Sequence, residues 1–284
     1  MKNPIVFLVF CLVVLLSCKT HQQKKIKVKQ QPQRQQPKAI SYQAANAKQW
    51  LLINKDSSQL HIVLAVNRTD KSGFAAMDSV IIPADMSGDI AYYLPFPLNA
   101  PYLEAVDKII FFSYPTQTFA TYENGVLMYT GPTNMGRKAD PTPTGLFFAN
   151  WKAEKTISTV NDEWELFWNF NIANKEGVGW HQYSMPGYPA SHSCLRLQEK
   201  DARYLYTWGD QWILDNKENV LANGTPVIVF GNYDFEAPKP WLQLITNQYA
   251  LDISEKEIQK QTMAYLDKIL AEQAKREGIQ SGME

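Results

Sequence analysis

The sequence predicts a mainly β protein with flanking helices, a β-rich α+β fold, and three observations support this prediction. Asn-Gly at 124–125 separates two β-rich runs, 118–123 and 126–130, and this dipeptide is a strong hairpin signal because both turn positions need positive φ. Apolar and polar residues alternate over 164–172, as in a strand with one buried face. The capping box at 254–257 (Ser-Glu-Lys-Glu) begins a C-terminal helix.

Shorter runs predict the remaining elements. The apolar run 60–66 is a strand or a short buried helix, and 80–83 is a short strand that ends at a proline. The runs 109–113 and 227–230 predict buried strands, and 199–212 predicts a short helix.

Two apolar faces have more than one interpretation. The tryptophans of the 164–172 strand fit core packing better than the lining of a substrate groove. The C-terminal helix has an apolar stripe that fits packing on the domain better than a partner-binding face. The stripe consists of Ile258, Thr262, Tyr265, Leu266, Ile269 and Leu270.

Composition excludes several classes of protein. The chain has 284 residues, of which 45% are hydrophobic, and this is too apolar for a disordered chain. Its 28 Lys and Arg balance 28 Asp and Glu, so it is not a nucleic-acid binder that relies on bulk positive charge. Three cysteines are too few for a disulfide scaffold or a four-cysteine zinc site.

Charge is unevenly distributed along the chain. Residues 18–40 hold seven Lys and Arg and no acidic residue, whereas 41–284 hold 20 basic and 28 acidic residues. A basic segment therefore precedes a globule with a net charge of −8.

The N-terminus predicts export. Lys2 precedes a short apolar run, 5–16, that is too short to span a bilayer comfortably. The sequence at 15–18 (Leu-Leu-Ser-Cys) resembles a bacterial lipoprotein box, which implies a signal peptide at 1–17 and lipid on Cys18. An ordinary cleaved signal peptide with an unrelated cysteine is the alternative. We expect a protein that is lipid-anchored to a bacterial membrane and faces the periplasm or cell wall.

The candidate chemistry lies between His181 and Arg196. If Cys11 leaves with the signal peptide and Cys18 carries lipid, Cys194 is the one thiol of the mature globule. The thiolate is the reactive form of cysteine, and an imidazole within hydrogen-bond reach generates it. The loop after His181 contains two prolines and a glycine, and such a loop can return the chain so that His181 lies next to Cys194.

Three more residues fit the same site. His192 supplies a second imidazole, and backbone N–H groups at a turn around Ser193 and Cys194 suit the oxyanion of a tetrahedral intermediate. Arg196 supplies a positive charge that lowers the thiol pKa or binds a substrate carbonyl or carboxylate. Two histidines and one cysteine lack a fourth ligand with suitable spacing, so no metal site is predicted.

Residues 191–197 (Ser-His-Ser-Cys-Leu-Arg-Leu), with His181 upstream, resemble the signature of the L,D-transpeptidases, the YkuD-like catalytic domain. The segments 129–131 (Tyr-Thr-Gly) and 142–145 (Thr-Pro-Thr-Gly) and the closing strand at 224–227 (Gly-Thr-Pro-Val) resemble further blocks of this family, in the right order. The resemblance implies the L,D-transpeptidase catalytic fold, which the C-terminal helix predicted from the capping box then follows.

The resemblance also implies a substrate, the peptidoglycan stem peptide, and a mechanism. Cys194 attacks the third, diamino residue of a donor tetrapeptide, D-alanine leaves, and an acceptor amine resolves the thioester to give a 3→3 cross-link. His181 is implied as general base and acid, oriented by a carbonyl at Gln182. His192 would support the turn and the oxyanion site, and Arg196 would fix the loop and the substrate.

One position departs from the family pattern. The family glycine before the cysteine is Ser193 here, which costs on the order of 1 kcal/mol if the position has positive φ. The N–H of Ser193 is unchanged, so it stays in the predicted catalytic set, and Ser191, Tyr183 and Gln182 are expected to bind substrate. No cofactor, metal or nucleic acid is implied, and the sequence predicts no oligomeric state.

The sequence divides into five segments. Residues 1–17 are the lipoprotein signal peptide, 18–43 a basic, Gln-rich, solvated tether, and 105–235 the catalytic domain. Residues 236–284 are a C-terminal helical extension. Residues 44–104 form a small N-terminal segment. Within it, 66–83 resembles the second half of a LysM module, a small glycan-binding unit, whose first half is not recognisable; a simple packing segment is the alternative.

Two other functions remain compatible with the sequence. In an L,D-carboxypeptidase, water resolves the same acyl-enzyme and trims the tetrapeptide stem. A non-catalytic wall-binding lipoprotein keeps the fold without the chemistry. A papain-like or NlpC-type peptidase is disfavoured, because there the cysteine precedes the histidine in the chain.

Overall fold

The structure is a computed structural model that describes residues 31–158 and 163–282. The predicted signal peptide, the predicted lipid attachment at Cys18 and the first part of the tether lie outside the described residues. Within these two ranges, none of the helices combines the length and the apolar character that crossing a bilayer requires.

The described part of the chain is rich in β strands and ends in helices, which confirms the predicted fold class. The elements in chain order are β1 (Tyr42–Asn46), α1 (Ala47–Ile53), α2 (Ser57–Val66), α3 (Lys71–Ala75), β2 (Ser79–Pro83), β3 (Ile109–Ser113), β4 (Thr118–Glu123), β5 (Val126–Pro132), β6 (Gly145–Phe148), β7 (Lys152–Ile157), β8 (Glu165–Ala173), β9 (Val178–Gln182), β10 (Leu195–Leu197), α4 (Glu199–Trp208), β11 (Ile213–Leu214), β12 (Val220–Ala222), β13 (Pro226–Phe230), α5 (Glu255–Met263) and α6 (Leu266–Ser281).

The larger sheet has five strands in the order β5-β4-β3-β13-β6. Strands β13 and β3 run parallel, and the other three pairs are antiparallel. The predicted hairpin between β4 and β5 is confirmed, because Asn124 and Gly125 have φ of 47° and 77°. The predicted strands at 109–113 and 227–230 are β3 and β13, and every residue of β3 is buried.

The smaller sheet has four strands in the order β10-β9-β8-β7, and it carries His181 on β9 and Arg196 on β10. The predicted alternating strand is β8, but its alternation is interrupted by a bulge. Trp168 has φ of 55°, and the pairing with β9 shifts between Phe167 and Phe170. The bulge explains why Phe167 breaks the sequence alternation and remains 38% exposed.

The N-terminal segment has two strands separated by three short helices, and β1 pairs with β2 antiparallel. The ambiguous run 60–66 belongs to helix α2, where the five residues 62–66 are all buried. Asp56 begins this helix, because its side chain accepts hydrogen bonds from the N–H groups of Ser58 and Gln59. A continuous apolar run is therefore a buried helix here.

The last part of the predicted tether differs from the solvated spacer that the sequence predicts. Arg34 Nη2 donates to Leu127 O at 2.6 Å, Pro37 is buried, and strand β1 already begins at Tyr42. Hydrogen bonds and strand pairing therefore hold residues 34–43 against the globule.

The predicted C-terminal helix begins at its predicted cap. Ser254 Oγ accepts from the N–H of Glu257 at 3.1 Å, which confirms the cap. The predicted single helix is divided into α5 and α6, and nothing in the structure explains the break at the two residues between them. Ile258, Thr262 and Ile269 are buried, so the stripe packs on the sheet as predicted. The helix predicted at 199–212 is α4, which ends at Trp208.

The hydrophobic cores cross the predicted boundaries of the catalytic segment. One cluster joins Leu103, from before residue 105, to Phe111 of the large sheet and to Ile269 of α6. A second joins Val66 of α2 to Trp241 of the C-terminal extension. The boundaries at 105 and 235 therefore do not separate independent cores.

Candidate active site

Parallel pairing of β9 with β10 brings the two candidate catalytic side chains into one place. Leu195 pairs with Trp180 and Arg196 with His181. Cys194 directly precedes β10, so it lies at the start of the strand beside the one that carries His181. The Cys194 and His181 side chains line the same pocket.

The loop between these strands is fixed from the N-terminal segment. The N–H of Met185 donates to Asp70 Oδ2 at 2.7 Å, and the N–H of Asp70 donates to Met185 O at 3.1 Å. Thr69 Oγ1 donates to the same Met185 carbonyl at 2.7 Å, and Thr69 pairs with Pro186 in an isolated bridge. The N-terminal segment thus sets the path of the loop that joins β9 to β10.

Asn134 fixes the other side of the loop. Its Nδ2 donates to Tyr188 O at 2.5 Å, and its Oδ1 accepts from the N–H of Ala190 at 3.2 Å. Its backbone exchanges two hydrogen bonds of 2.9 Å with Arg196. Asn134 is 1% exposed, so water cannot replace these bonds. Sequence reasoning missed this residue, because a buried asparagine in a connection gives no local signal.

His181 is buried and oriented for proton transfer. Its Nδ1 lies 2.9 Å from the carbonyl oxygen of Gln182, the carbonyl that the resemblance implied. When Nδ1 donates its proton there, Nε2 keeps its lone pair. Burial, opposed by the hydrogen bond to Gln182 O and assisted by the nearby Arg196 guanidinium, lowers the pKa of His181 to about 4, so the ring is neutral at pH 7.

The Cys194 thiol points toward the backbone just before β9. Its Sγ lies 3.8 Å from Gly177 O. Burial raises the pKa of Cys194, whereas the N–H of Gly179 and the positive charge of Arg196 oppose this increase. Thiol and imidazole are therefore both neutral before a substrate arrives.

The turn before Cys194 has the conformation that the family glycine would favour. Ser193 has φ of 74°, in the left-handed region. Ser193 O accepts from Thr142 Oγ1 at 2.8 Å, and Thr142 Oγ1 also accepts from the N–H of Gly136 at 2.8 Å. Ser191 Oγ donates to Cys194 O at 2.5 Å. These side chains fix the turn from both sides.

Arg196 and Tyr183 form one wall of the pocket. The guanidinium carbon lies 4.5 Å from the centre of the Tyr183 ring, and Arg196 Nη1 donates to Ser184 O at 3.4 Å. The Tyr183 and His181 rings meet edge to face at 5.8 Å. The side chain of Gln182 lies instead in a neighbouring cleft, so only its carbonyl belongs to the catalytic pocket.

His192 also lines the pocket, against Trp164. The two ring centres are 5.2 Å apart, and His192 Nε2 lies 4.0 Å from Asp140 Oδ2. Among the described residues, His192 Nδ1 is buried without a hydrogen-bond partner. Trp164 thus lines the site, whereas Trp168 packs against the core and beneath Arg203 at 4.1 Å. The interpretation of both tryptophans as core residues is wrong for Trp164.

The pocket is narrow and holds the groups that acyl transfer needs. Its volume is about 20 Å³, and its walls contain the thiol, two imidazoles and one guanidinium. The Ser193 side chain does not line it. Within residues 31–158 and 163–282, no cluster of three His, Cys, Asp or Glu side chains has a metal-binding arrangement.

Three solved structures illustrate what the chain is similar to. An L,D-transpeptidase from Stackebrandtia nassauensis is 24% identical, with 45% of this chain and 57% of that chain covered and a TM-score of 0.36. An L,D-transpeptidase from Mycobacterium smegmatis is 20% identical, with 44% of this chain and 59% of that chain covered and a TM-score of 0.35. An L,D-transpeptidase from Mycobacterium tuberculosis is 22% identical, with 44% of this chain and 58% of that chain covered and a TM-score of 0.35. This chain therefore spans less than two thirds of the length of each. None of the curated proteins matches the sequence.

A family model gives the more specific finding. The matched span contains all eight predicted catalytic and substrate-binding residues. Residues 107–229 of this chain match the L,D-transpeptidase catalytic domain, YkuD.

Proposed function

We propose that this chain is a peptidoglycan L,D-transpeptidase that forms 3→3 cross-links through an acyl-enzyme on Cys194. One observation carries the proposal. The Nδ1 atom of His181 is 2.9 Å from Gln182 O, in the pocket that also holds the Cys194 thiol. This contact selects the tautomer whose Nε2 can accept a proton.

The first half of the reaction forms a thioester. His181 Nε2 takes the thiol proton while Cys194 Sγ attacks the carbonyl carbon of the third residue of a donor tetrapeptide. The tetrahedral intermediate collapses with cleavage of the peptide bond, and His181 gives its proton to the amine of the departing D-alanine. The thiol is neutral at rest, so proton removal and attack are coupled.

The second half transfers the acyl group. The side-chain amine of an acceptor stem attacks the thioester, and His181 removes the proton from that nitrogen. The thiolate of Cys194 leaves and recovers the proton from His181. The products are the 3→3 amide and the free enzyme, so no cofactor is needed.

Other residues of the site support these steps. The backbone N–H groups of Ser193 and Cys194 are proposed to hold the oxyanion. Arg196 would bind a substrate carbonyl or carboxylate, with Tyr183 beneath its guanidinium. His192 and Ser191 would support the turn, since Ser191 Oγ already donates to Cys194 O.

The test is incubation of the purified protein with tetrapeptide muropeptides, followed by mass spectrometry. Dimers with loss of D-alanine support the transpeptidase. Tripeptide monomers in place of dimers would reassign the protein as an L,D-carboxypeptidase. No product and no carbapenem adduct on Cys194 would favour a non-catalytic wall-binding protein.

We also propose that the protein is exported and attached to a bacterial membrane by lipid on Cys18. The cell-wall role of the matched family supports export. The sequence at 15–18 supports the lipid. The Cys18→Ala variant should lose the lipid mass and leave the membrane fraction. A variant that stays fully membrane-bound would contradict the anchor.

A further inference from the structure

A second, larger cleft lies beside the catalytic pocket. Its volume is about 690 Å³, against about 20 Å³ for the pocket that holds Cys194. Binding sites for ligands typically have volumes of roughly 300–1,000 Å³. Tyr183 lines both cavities, so a chain that leaves the catalytic pocket past this ring enters the cleft.

Three parts of the fold form the cleft. Asp70 and Lys71 come from the N-terminal segment, Gln182 and Tyr183 from the end of β9, and Lys200 from the first turn of α4. The same N-terminal segment fixes the catalytic loop. The cleft is therefore a feature of the whole chain and not of the catalytic segment alone.

The acidic side chains of the cleft are already engaged. Asp70 Oδ1 accepts from the N–H of Gly73 at 2.7 Å and from Ser72 Oγ at 2.8 Å. Asp70 Oδ2 accepts from the N–H of Met185 at 2.7 Å. Glu199 pairs with Arg203 at 2.7 Å. Neither carboxylate is free to neutralise a lysine.

Two lysines in the cleft have no ion-pair partner in the described part of the chain, although burial raises the pKa of Asp201 beside Lys200 and the charge of Lys200 opposes this increase. Among the described residues, the ammonium groups of Lys71 and Lys200 form neither an ion pair nor a hydrogen bond, and both side chains are exposed. The cleft holds three basic and two acidic side chains, whereas residues 41–284 as a whole have a net charge of −8. This is a local positive surface on an acidic globule, and it favours an anionic ligand.

We propose that this cleft binds a carboxylate-bearing segment of a stem peptide, with Lys71 and Lys200 as its charge partners. The proposal rests on the proposed function, which supplies the stem peptide as substrate. The catalytic pocket holds only the reacting bond, and the cleft holds the peptide that extends from it. The peptide belongs either to the donor or to the acceptor, and the experiment separates the two.

The test reverses the charge of both lysines. The double variant Lys71→Glu, Lys200→Glu is made in a Cys194→Ala background, and binding of a synthetic stem tetrapeptide is measured by calorimetry. We expect a Kd about tenfold weaker, since two favourable pairs become repulsive. For the same peptide with amidated carboxylates, the Kd of the double variant should differ from that of the Cys194→Ala parent by less than about twofold.

The chain offers a matched control. Lys48→Glu with Lys256→Glu gives the same change in net charge, and these lysines lie at the second positions of α1 and α5. Lys71 and Lys200 occupy the first and second positions of α3 and α4, so all four glutamates suit a helix N-terminus. Equal Kd values for the two double variants would overturn the proposal, as would no binding of the acidic peptide to Cys194→Ala protein.

Kinetics with Cys194 intact identify the peptide. A slower rate of acyl-enzyme formation at low donor concentration assigns the cleft to the donor. A higher acceptor concentration for half-maximal dimer formation assigns it to the acceptor. An unchanged value in both measurements would overturn the proposal.

A carbapenem adduct on Cys194 reports separately on the catalytic proposal. If the adduct forms but peptide binding does not depend on charge, the catalytic proposal is supported and the proposal for the cleft is refuted. If peptide binding depends on charge but no adduct forms, the catalytic proposal is refuted and the proposal for the cleft is supported.

Discussion

At the residue scale, burial decides the protonation of the candidate catalytic pair. Burial lowers the pKa of His181 to about 4 and raises the pKa of Cys194. At pH 7 both groups are neutral, so the enzyme we propose activates its nucleophile during attack. The positive charge of Arg196 opposes the increase in the thiol pKa and favours this deprotonation.

Removal of the proposed base should therefore slow acyl transfer without abolishing the nucleophile. We expect His181→Ala to reduce the rate of thioester formation by roughly 10²–10⁴-fold. Cys194→Ala should form no thioester at all. Stopped-flow acylation with mass detection checks both variants, and a fully active His181→Ala enzyme would refute the assignment of the base.

The buried imidazole also predicts a pH-dependent stability. The pKa of His181 is about 4 in the folded protein and about 6.5 when unfolded, so the unfolded chain binds more protons between these values. Stability is therefore lost as pH falls from about 6.5 to 4. Relative to His181→Gln, the wild-type free energy of unfolding should fall by about 3 kcal/mol over this range. Urea titrations at several pH values measure the free energy of unfolding of both proteins. The prediction would be contradicted if the two proteins showed the same dependence on pH.

Ser193 adopts a backbone conformation that favours glycine. Its φ of 74° predicts that Ser193→Gly raises the free energy of unfolding by on the order of 1 kcal/mol. Ser41→Gly is a suitable control, since Ser41 is exposed and its φ is not positive. Urea denaturation should show a gain at 193 and none at 41; the same change at both positions would exclude backbone strain as the cause.

At the element scale, the connection between β5 and β6 supports the catalytic turn from behind. Thr142 Oγ1 bridges the N–H of Gly136 and the carbonyl oxygen of Ser193, each at 2.8 Å. Gly136 itself is needed, because a Cβ there would lie 2.3 Å from Asp140 O. The segment 142–145 that resembles a family block therefore has a physical role in holding the turn.

An isosteric change tests this role. Thr142→Val keeps the shape but leaves a buried N–H without its acceptor, so we expect a loss of about 1–3 kcal/mol in stability and slower acylation. Thr144→Val is the matched control, because Thr144 is exposed. Thermal unfolding and acylation rates are measured for both variants. If the two variants lose the same stability and the same acylation rate, the Thr142 bridge does not support the turn.

At the scale of the whole molecule, the N-terminal and catalytic segments are joined by a buried arginine. Arg68 is 1% exposed and donates to Thr116 O at 2.7 Å, Ala65 O at 2.7 Å and Val66 O at 2.9 Å. Burial lowers its pKa to about 9. With the shared cores, this side chain makes the two segments one folding unit.

Replacement of Arg68 should therefore affect the whole chain. Arg68→Met removes the side-chain donors of three carbonyls, of which only Ala65 O keeps a backbone N–H, and we expect a loss of about 3 kcal/mol or more in one cooperative transition. Arg203→Met, at an exposed ion pair, should cost less than about 1 kcal/mol. Circular dichroism and tryptophan fluorescence should give the same midpoint; separate transitions would show that the segments unfold independently.

The sequence by itself determined the β-rich class, the Asn124-Gly125 hairpin, the helix cap at Ser254 and the candidate pair of His181 and Cys194. These depend on local patterns: turn conformation, a capping side chain and the order of residue types. Only the tertiary structure decided that 60–66 is a helix, that Trp164 lines the site and that Asn134 and Lys71 lie beside it. These outcomes depend on contacts between residues far apart in the chain, and no local pattern encodes such contacts.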